Sequence, residues 1–256
     1  MEFKAAGWLR WANIASFIAT LIVNGLSNTS LIGGKTTAEV SNSHPTLITP
    51  AGYVFAIWGI IYALLGVYLV YQALPSQKNK LFQKQISVLF ILTSIFNIVW
   101  LFFWQNELLP ISVAVIFAFL ASLIAIYLRL NIGRAKVSLK EKLCVHVPFS
   151  VYLGWVTIAT IANISVTLAA EGWDGFGLSM QTWAIIVLAV ALLIDLVVIV
   201  TRRDIAFSLV FIWALVGIAV NQTSYPNVVL TAEIAIAVIA VSLAIAVAAD
   251  RLRKHK

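Results

Sequence analysis

Apolar side chains run almost unbroken through eight stretches of the chain: Trp8 to Leu26, Ala51 to Leu74, Gln85 to Gln105, Pro110 to Leu130, Leu143 to Leu168, Gln181 to Val200, Ile205 to Gln222 and Asn227 to Ala249. Polar and charged residues gather in the connections between them. About twenty apolar residues, rising about 1.5 Å each, cover a hydrocarbon core about 30 Å thick. The pattern therefore predicts an all-α, polytopic membrane bundle of about eight transmembrane helices, with no segment left for a soluble domain. All connections are short except the first, Ser27 to Pro50, which is rich in Ser, Thr, Asn and Gly. A loop of this length in a compact bundle is usually functional or disordered, and this one is placed to cover whatever opens between the first two spans.

Composition strengthens this picture. Of 256 residues, 62% are hydrophobic and 11% charged, against roughly 45–50% and about 25% in ordinary globular domains. The excess has to face lipid. Sixteen of the 17 Lys and Arg residues fall on one side of an eight-span alternation, and only Lys35 falls on the other. Positive loops stay cytoplasmic, so both termini are expected there, with the bacterial plasma membrane as the expected location. The net charge of +7 is then a topology signal, and nucleic acid is not an expected partner. The single cysteine, Cys144, has no intramolecular partner and reads as a packed, reduced thiol.

The aromatic residues change the picture next. Counting about 1.5 Å per residue along the alternating spans puts Tyr53 and Trp58 in the outer half of the second span and Asn97 near mid-membrane in the third. Trp100 and Trp104 lie further out, Trp155 near the middle of the fifth span and Asn163 at its outer end. Rings and amides thus converge in the outer half, beneath the long loop. Interfacial belts of Trp and Tyr are the alternative, open for Tyr53 and Trp104; Trp58 and Trp155 lie too deep for it. An aromatic-walled pocket with few polar groups suits a flat, largely apolar ligand.

Three runs carry a family resemblance. Tyr152-Leu153-Gly154-Trp155 followed by Ala159-Thr160 and Asn163, Tyr53 to Tyr62 followed by Gly66, and Asn97 to Phe103 together resemble motifs of the TspO or tryptophan-rich sensory protein family, whose mitochondrial members are the translocator proteins or peripheral benzodiazepine receptors. Tyr53 stands where the family usually has Trp. The resemblance divides the chain into a five-helix bundle over residues 1–170, with the outer loop 27–50, and three added helices with a basic tail over 171–256. It implies a membrane sensor or carrier that is not an enzyme and requires no cofactor. The implied ligand is tetrapyrrole- or sterol-type, porphyrin or haem included, bound among the first five helices by Tyr53, Trp58, Tyr62, Asn97, Trp100, Trp155, Ala159 and Asn163.

The remaining chemistry is sparse. Asp195 and Glu233 are the acidic residues read as lying well inside the bilayer, where a carboxylate costs about 2.5–3.5 kcal/mol on insertion scales. Three roles stay open for them: neutral helix-packing groups, a proton or cation path, or contacts to a partner protein. The alternative function is accordingly a secondary transporter or accessory membrane subunit using Asp195 and Glu233. No lysine lies inside a span to form a Schiff base, and no His or carboxylate cluster suits a metal. His146 reads as a packing residue. The stretch from Leu123 to Arg129 around Tyr127 fits a loose sterol-contact pattern. Trp213, Gly217 and Asn221 repeat the spacing of Trp155, Ala159 and Asn163, which puts each trio on one helix face. Small residues on several spans permit a homodimer.

Overall fold

The computed structural model describes residues 7–254, and Lys4, His255 and Lys256 lie outside the described residues. Among these residues the chain is helical without a strand, as the bilayer requires, because a helix satisfies its own backbone polar groups. The helices are α1 (Gly7–Ser27), α2 (Thr37–Ser43), α3 (Ile57–Ala73), α4 (Leu81–Ile86), α5 (Leu89–Gln105), α6 (Leu109–Arg129), the single turn α7 (Leu139–Glu141), α8 (Val147–Ala170), α9 (Met180–Arg202), α10 (Ile205–Asn221) and α11 (Pro226–Lys254). A tight 3-10 turn, Gly52–Ala56, leads into α3.

Six of the helical segments are long and apolar enough to cross a bilayer: Gly7–Ser27, Gly52–Ala73, Leu109–Arg129, Leu139–Ala170, Met180–Arg202 and Pro226–Ala249. The other two apolar helices, α5 and α10, have 17 residues each. The third predicted span was expected to begin at Gln85. Instead the chain breaks at Ser87, whose positive φ separates α4 from α5, so the apolar run is longer than the helix it feeds.

α5 packs between α1 and α6, α8 lies between α6 and α10, and α11 closes over α9 and α10. One buried core therefore runs through both the first five apolar helices and the last three. Gly154 lets α8 approach α10 closely: a Cβ there would meet the Phe207 carbonyl oxygen at 3.1 Å and Val210 Cβ at 3.2 Å.

Hydrogen bonds group the connections at two ends. At one end the segment 27–50 reaches Glu107 of the α5–α6 turn and Gln222 after α10. At the other, Gln85 donates to the Arg129 carbonyl, Arg134 to the Thr201 carbonyl and Arg202 to Asn131 Oδ1. This second end carries the basic loops.

Candidate functional site

Trp155, Ala159 and Asn163 are spaced by four in α8, so their side chains share one face. That face lines a cavity together with Trp58 of α3 and Trp100 and Trp104 of α5. Trp58 is the hub. Its ring stacks on Tyr62 at 5.7 Å, meets Trp155 edge-on at 6.1 Å and Tyr152 edge-on at 6.3 Å, and lies 6.1 Å from Trp100. Phe55 meets the other side of Trp155 at 6.1 Å. Such pairs add about 0.5–1.5 kcal/mol each beyond burial, so the rings form a pre-arranged wall.

The polar groups divide into satisfied and unsatisfied. Trp100 Nε1 donates to Asn163 Oδ1 (2.9 Å), and Asn163 Nδ2 donates to Ser112 Oγ (2.9 Å). Asn163 lines the cavity but is committed to holding α5, α6 and α8 in register. Asn97, fully buried, accepts from Asn24 Nδ2 at 2.8 Å. Its own amide nitrogen, the Tyr62 hydroxyl and the Trp155 indole nitrogen have no hydrogen-bond partner. Asn97 and Tyr62 do not line the cavity, whereas Trp155 does. Leaving a buried donor unsatisfied costs about 1–3 kcal/mol, which an acceptor on a bound ligand would recover at Trp155 Nε1.

Tyr53, predicted among the ligand contacts, is not at the cavity. It is 46% exposed and packs edge-on against Trp213 at 5.4 Å. The reason lies in α10, onto which the Gly52–Ala56 turn docks. Trp213 Nε1 donates to the Val54 carbonyl (3.1 Å), Ala51 N donates to the Gly217 carbonyl (3.0 Å) and Asn221 Nδ2 donates to the Thr49 carbonyl (3.1 Å). The trio Trp213, Gly217 and Asn221 does share one face, and that face holds residues 49–54.

The placement of the cavity among the first five helices also needs correction. Leu188 and Ala191 of α9 and Phe211, Ala214 and Leu215 of α10 form its far wall, so it lies at the seam between the two parts of the chain. Hydropathy alone carries no signal for these residues, because it shows that a helix is buried without showing against what. The closed cavity holds about 60 Å³, well below the roughly 300–1,000 Å³ of ligand pockets. A ligand larger than a few atoms must part its walls.

The long first connection is an ordered lid. Thr36 and Glu39 cap α2 reciprocally, and Thr37, Ser41, Ile48 and Pro50 face the cavity. Trp104 Nε1 donates to the Thr37 carbonyl (3.2 Å), and Gln105 Nε2 donates to the Ser27 carbonyl (3.1 Å). At Gly33, with φ of +65°, a side chain would overlap the Gln105 carbonyl. Lys35 (2.6 Å) and His44 (3.0 Å) both reach the Glu107 carboxylate.

The hydrogen bond from Lys35, and next that from His44, hold the Glu107 carboxyl below its ordinary value. A depressed carboxyl stabilises docking above its unfolded value and loses that contribution as pH falls through the folded one. The lid should thus stay pinned at neutral pH and loosen only as pH falls below the ordinary glutamate range. The pair is over a third exposed, so it contributes about 0–1 kcal/mol. Glu107→Gln should speed amide exchange in residues 37–43 by up to about fivefold, the factor for 1 kcal/mol, measured by hydrogen exchange at neutral pH.

The two membrane carboxyls do not meet. Asp195 is fully buried in α9, its oxygens without a hydrogen-bond partner and facing Ser208 of α10, while Glu233 is exposed on α11. Sequence reasoning passed over a second buried carboxyl, Asp204, which caps α10 and accepts from Ser150 Oγ at 2.6 Å. Its signal was available: an acidic residue after two arginines, directly before an apolar run. Tyr127 of the sterol-like pattern is buried, with the Arg202 guanidinium 5.8 Å from its ring centre, so lipid does not reach it. His146 is buried at the same end. Among the described residues no group of three or more His, Cys, Asp or Glu could hold a metal ion.

Compared with known families, the chain matches the one described as TSPO-like protein over residues 10–245, a span that takes in α9 and α10 and most of α11. No curated protein and no solved structure matches.

Proposed function

Because the chain belongs to the TSPO-like protein family, we propose that it is a membrane sensor or carrier for a flat, largely apolar molecule of tetrapyrrole or sterol type, held in the aromatic cavity beneath the lid. The observation that carries this reading is the composition of the cavity wall. Rings of Trp58, Trp100 and Trp155 face small and aliphatic side chains, and the Trp155 indole N–H is the lining donor without a partner. A flat molecule gains stacking on these faces and needs one acceptor, such as a carboxylate or carbonyl oxygen, to meet Trp155 Nε1. No histidine lines the cavity, so a porphyrin would be held by ring contacts and that hydrogen bond, without an axial ligand from His. We read both termini as cytoplasmic, because loops rich in Lys and Arg stay on that side.

Titration of the purified protein with protoporphyrin IX tests the reading. Saturable quenching of Trp fluorescence is expected, with about tenfold or greater weakening in Trp155→Ala, since about 1.4 kcal/mol of lost stacking and hydrogen bonding is a factor of ten. Unsaturable quenching, equal in the wild type and in Trp155→Ala, would mean that porphyrin only partitions into the surrounding lipid or detergent.

A further inference from the structure

Beside the closed cavity runs a wider groove of about 680 Å³. It exists because consecutive helices splay apart: α8 packs on α6 and α10, whereas α9 packs chiefly on α11. Ser165 and Leu168 of α8 form one wall, Trp183 and Val190 of α9 the other, and His44 to Leu47 of the lid the roof. Three side chains, Ile48, Ile161 and Val187, line both the groove and the cavity. The two spaces are separated by this aliphatic partition.

We propose that the groove is the access site for the ligand: a flat hydrophobic molecule with one polar edge leaves the bilayer between α8 and α9, rests against Trp173 and Trp183, and passes the Ile48, Ile161 and Val187 partition into the cavity. This rests on the reading that the cavity binds such a molecule. Size favours it, since the groove falls within the range of ligand pockets and the closed cavity does not. The rim is built for an aromatic guest. Trp173 and Trp183 lie 4.8 Å apart, and Trp183 Nε1 donates to the Gly175 carbonyl at 2.7 Å. Gly175, with φ of +66°, leaves no room for a side chain beside that indole, so the α8–α9 loop is moulded onto the ring. Phe176 and Met180, 79% and 68% exposed, extend the apolar rim outward. His44, Thr46 and Asp174 line the same groove, where His44 is held by Glu107, Thr46 by Thr49 and Asp174 by the Phe176 N–H, so the guest's polar edge is met by exchange of these contacts. The partition is made of three aliphatic side chains, so opening it breaks no side-chain hydrogen bond, and a planar guest passes as α8 and α9 part.

Stopped-flow transfer of protoporphyrin IX from phosphatidylcholine vesicles to the full-length protein tests the proposal. Ser165→Trp and Ala169→Trp fill the groove and replace no residue of the cavity lining; Ala169 is on the exposed rim, where a large side chain leaves folding intact. Both variants should slow association and dissociation together, by about tenfold or more. Wild-type rates in both variants would overturn the portal and show that the groove holds only lipid chains or that the ligand passes under the lid. Failure of the wild type to bind porphyrin at all would instead remove the proposed function, and the portal with it.

Discussion

Ala214→Trp should abolish binding of a planar ligand, at a stability cost of about 1–3 kcal/mol for overpacking the closed cavity. Ala214 is a small, buried residue on α10 that lines the cavity together with Trp155. An indole placed there occupies the space a ligand would open, and it does so from a helix that the five-helix pattern does not contain. The expected loss is about a hundredfold or more in affinity for protoporphyrin IX, corresponding to about 2.8 kcal/mol at a factor of ten per 1.4 kcal/mol. The neighbouring change Trp213→Ala provides the contrast. Trp213 points to the Val54 carbonyl and the Tyr53 ring, so its loss should lower stability slightly and affinity little. Equilibrium titration of both variants checks the pair, and equal affinity in Ala214→Trp and the wild type would place the ligand elsewhere.

Gly217→Val should be strongly destabilising. A Cβ at Gly217 would overlap the Val54 side chain, which is fully buried and has nowhere to move, and would press on Pro50 Cβ at 3.3 Å. The same glycine accepts the Ala51 N–H at 3.0 Å. Forcing α10 away from residues 50–54 therefore loosens the lid and the start of α3 together. Overpacking of this kind costs about 1–3 kcal/mol, and the lost backbone contact places this case at the upper end. Thermal unfolding in detergent should show a clear drop in midpoint. Gly66→Ala, where an added Cβ meets nothing within 4 Å, should be neutral or mildly stabilising, since alanine favours a helix over glycine by about 1 kcal/mol. Equal midpoints for the two variants would contradict the docking of α10 on the lid segment.

Hydropathy made the helical bundle legible, because length and apolarity are all a span requires. The facing of Trp58 and Trp155 was legible too, from depth counted along oppositely directed helices. Three features were not. The break at Ser87 is a backbone event inside an apolar run, and periodicity does not register it. Tyr53 was assigned by motif position, but its direction is set by the 3-10 turn docking on α10, a long-range contact between residues 54 and 213. The far wall of the cavity, Leu188, Ala191 and Ala214, consists of residue types that α9 and α10 also turn outward, so nothing in their identity distinguishes cavity from lipid. The repeat of Trp, small residue and Asn in α8 and α10 shows the same limit. Spacing correctly put each trio on one face, yet one trio lines the cavity and the other fastens the lid.

Three-dimensional density for the complex with protoporphyrin IX tests the central claim most directly. The expected map shows the macrocycle between the α3–α8 rings and α10, against Trp58 and Trp155 on one side and Ala214 on the other, with an oxygen within hydrogen-bond distance of Trp155 Nε1. A macrocycle lying on the outer surface of the helices, or beside Trp213 and Tyr53 with the cavity still closed, would contradict it.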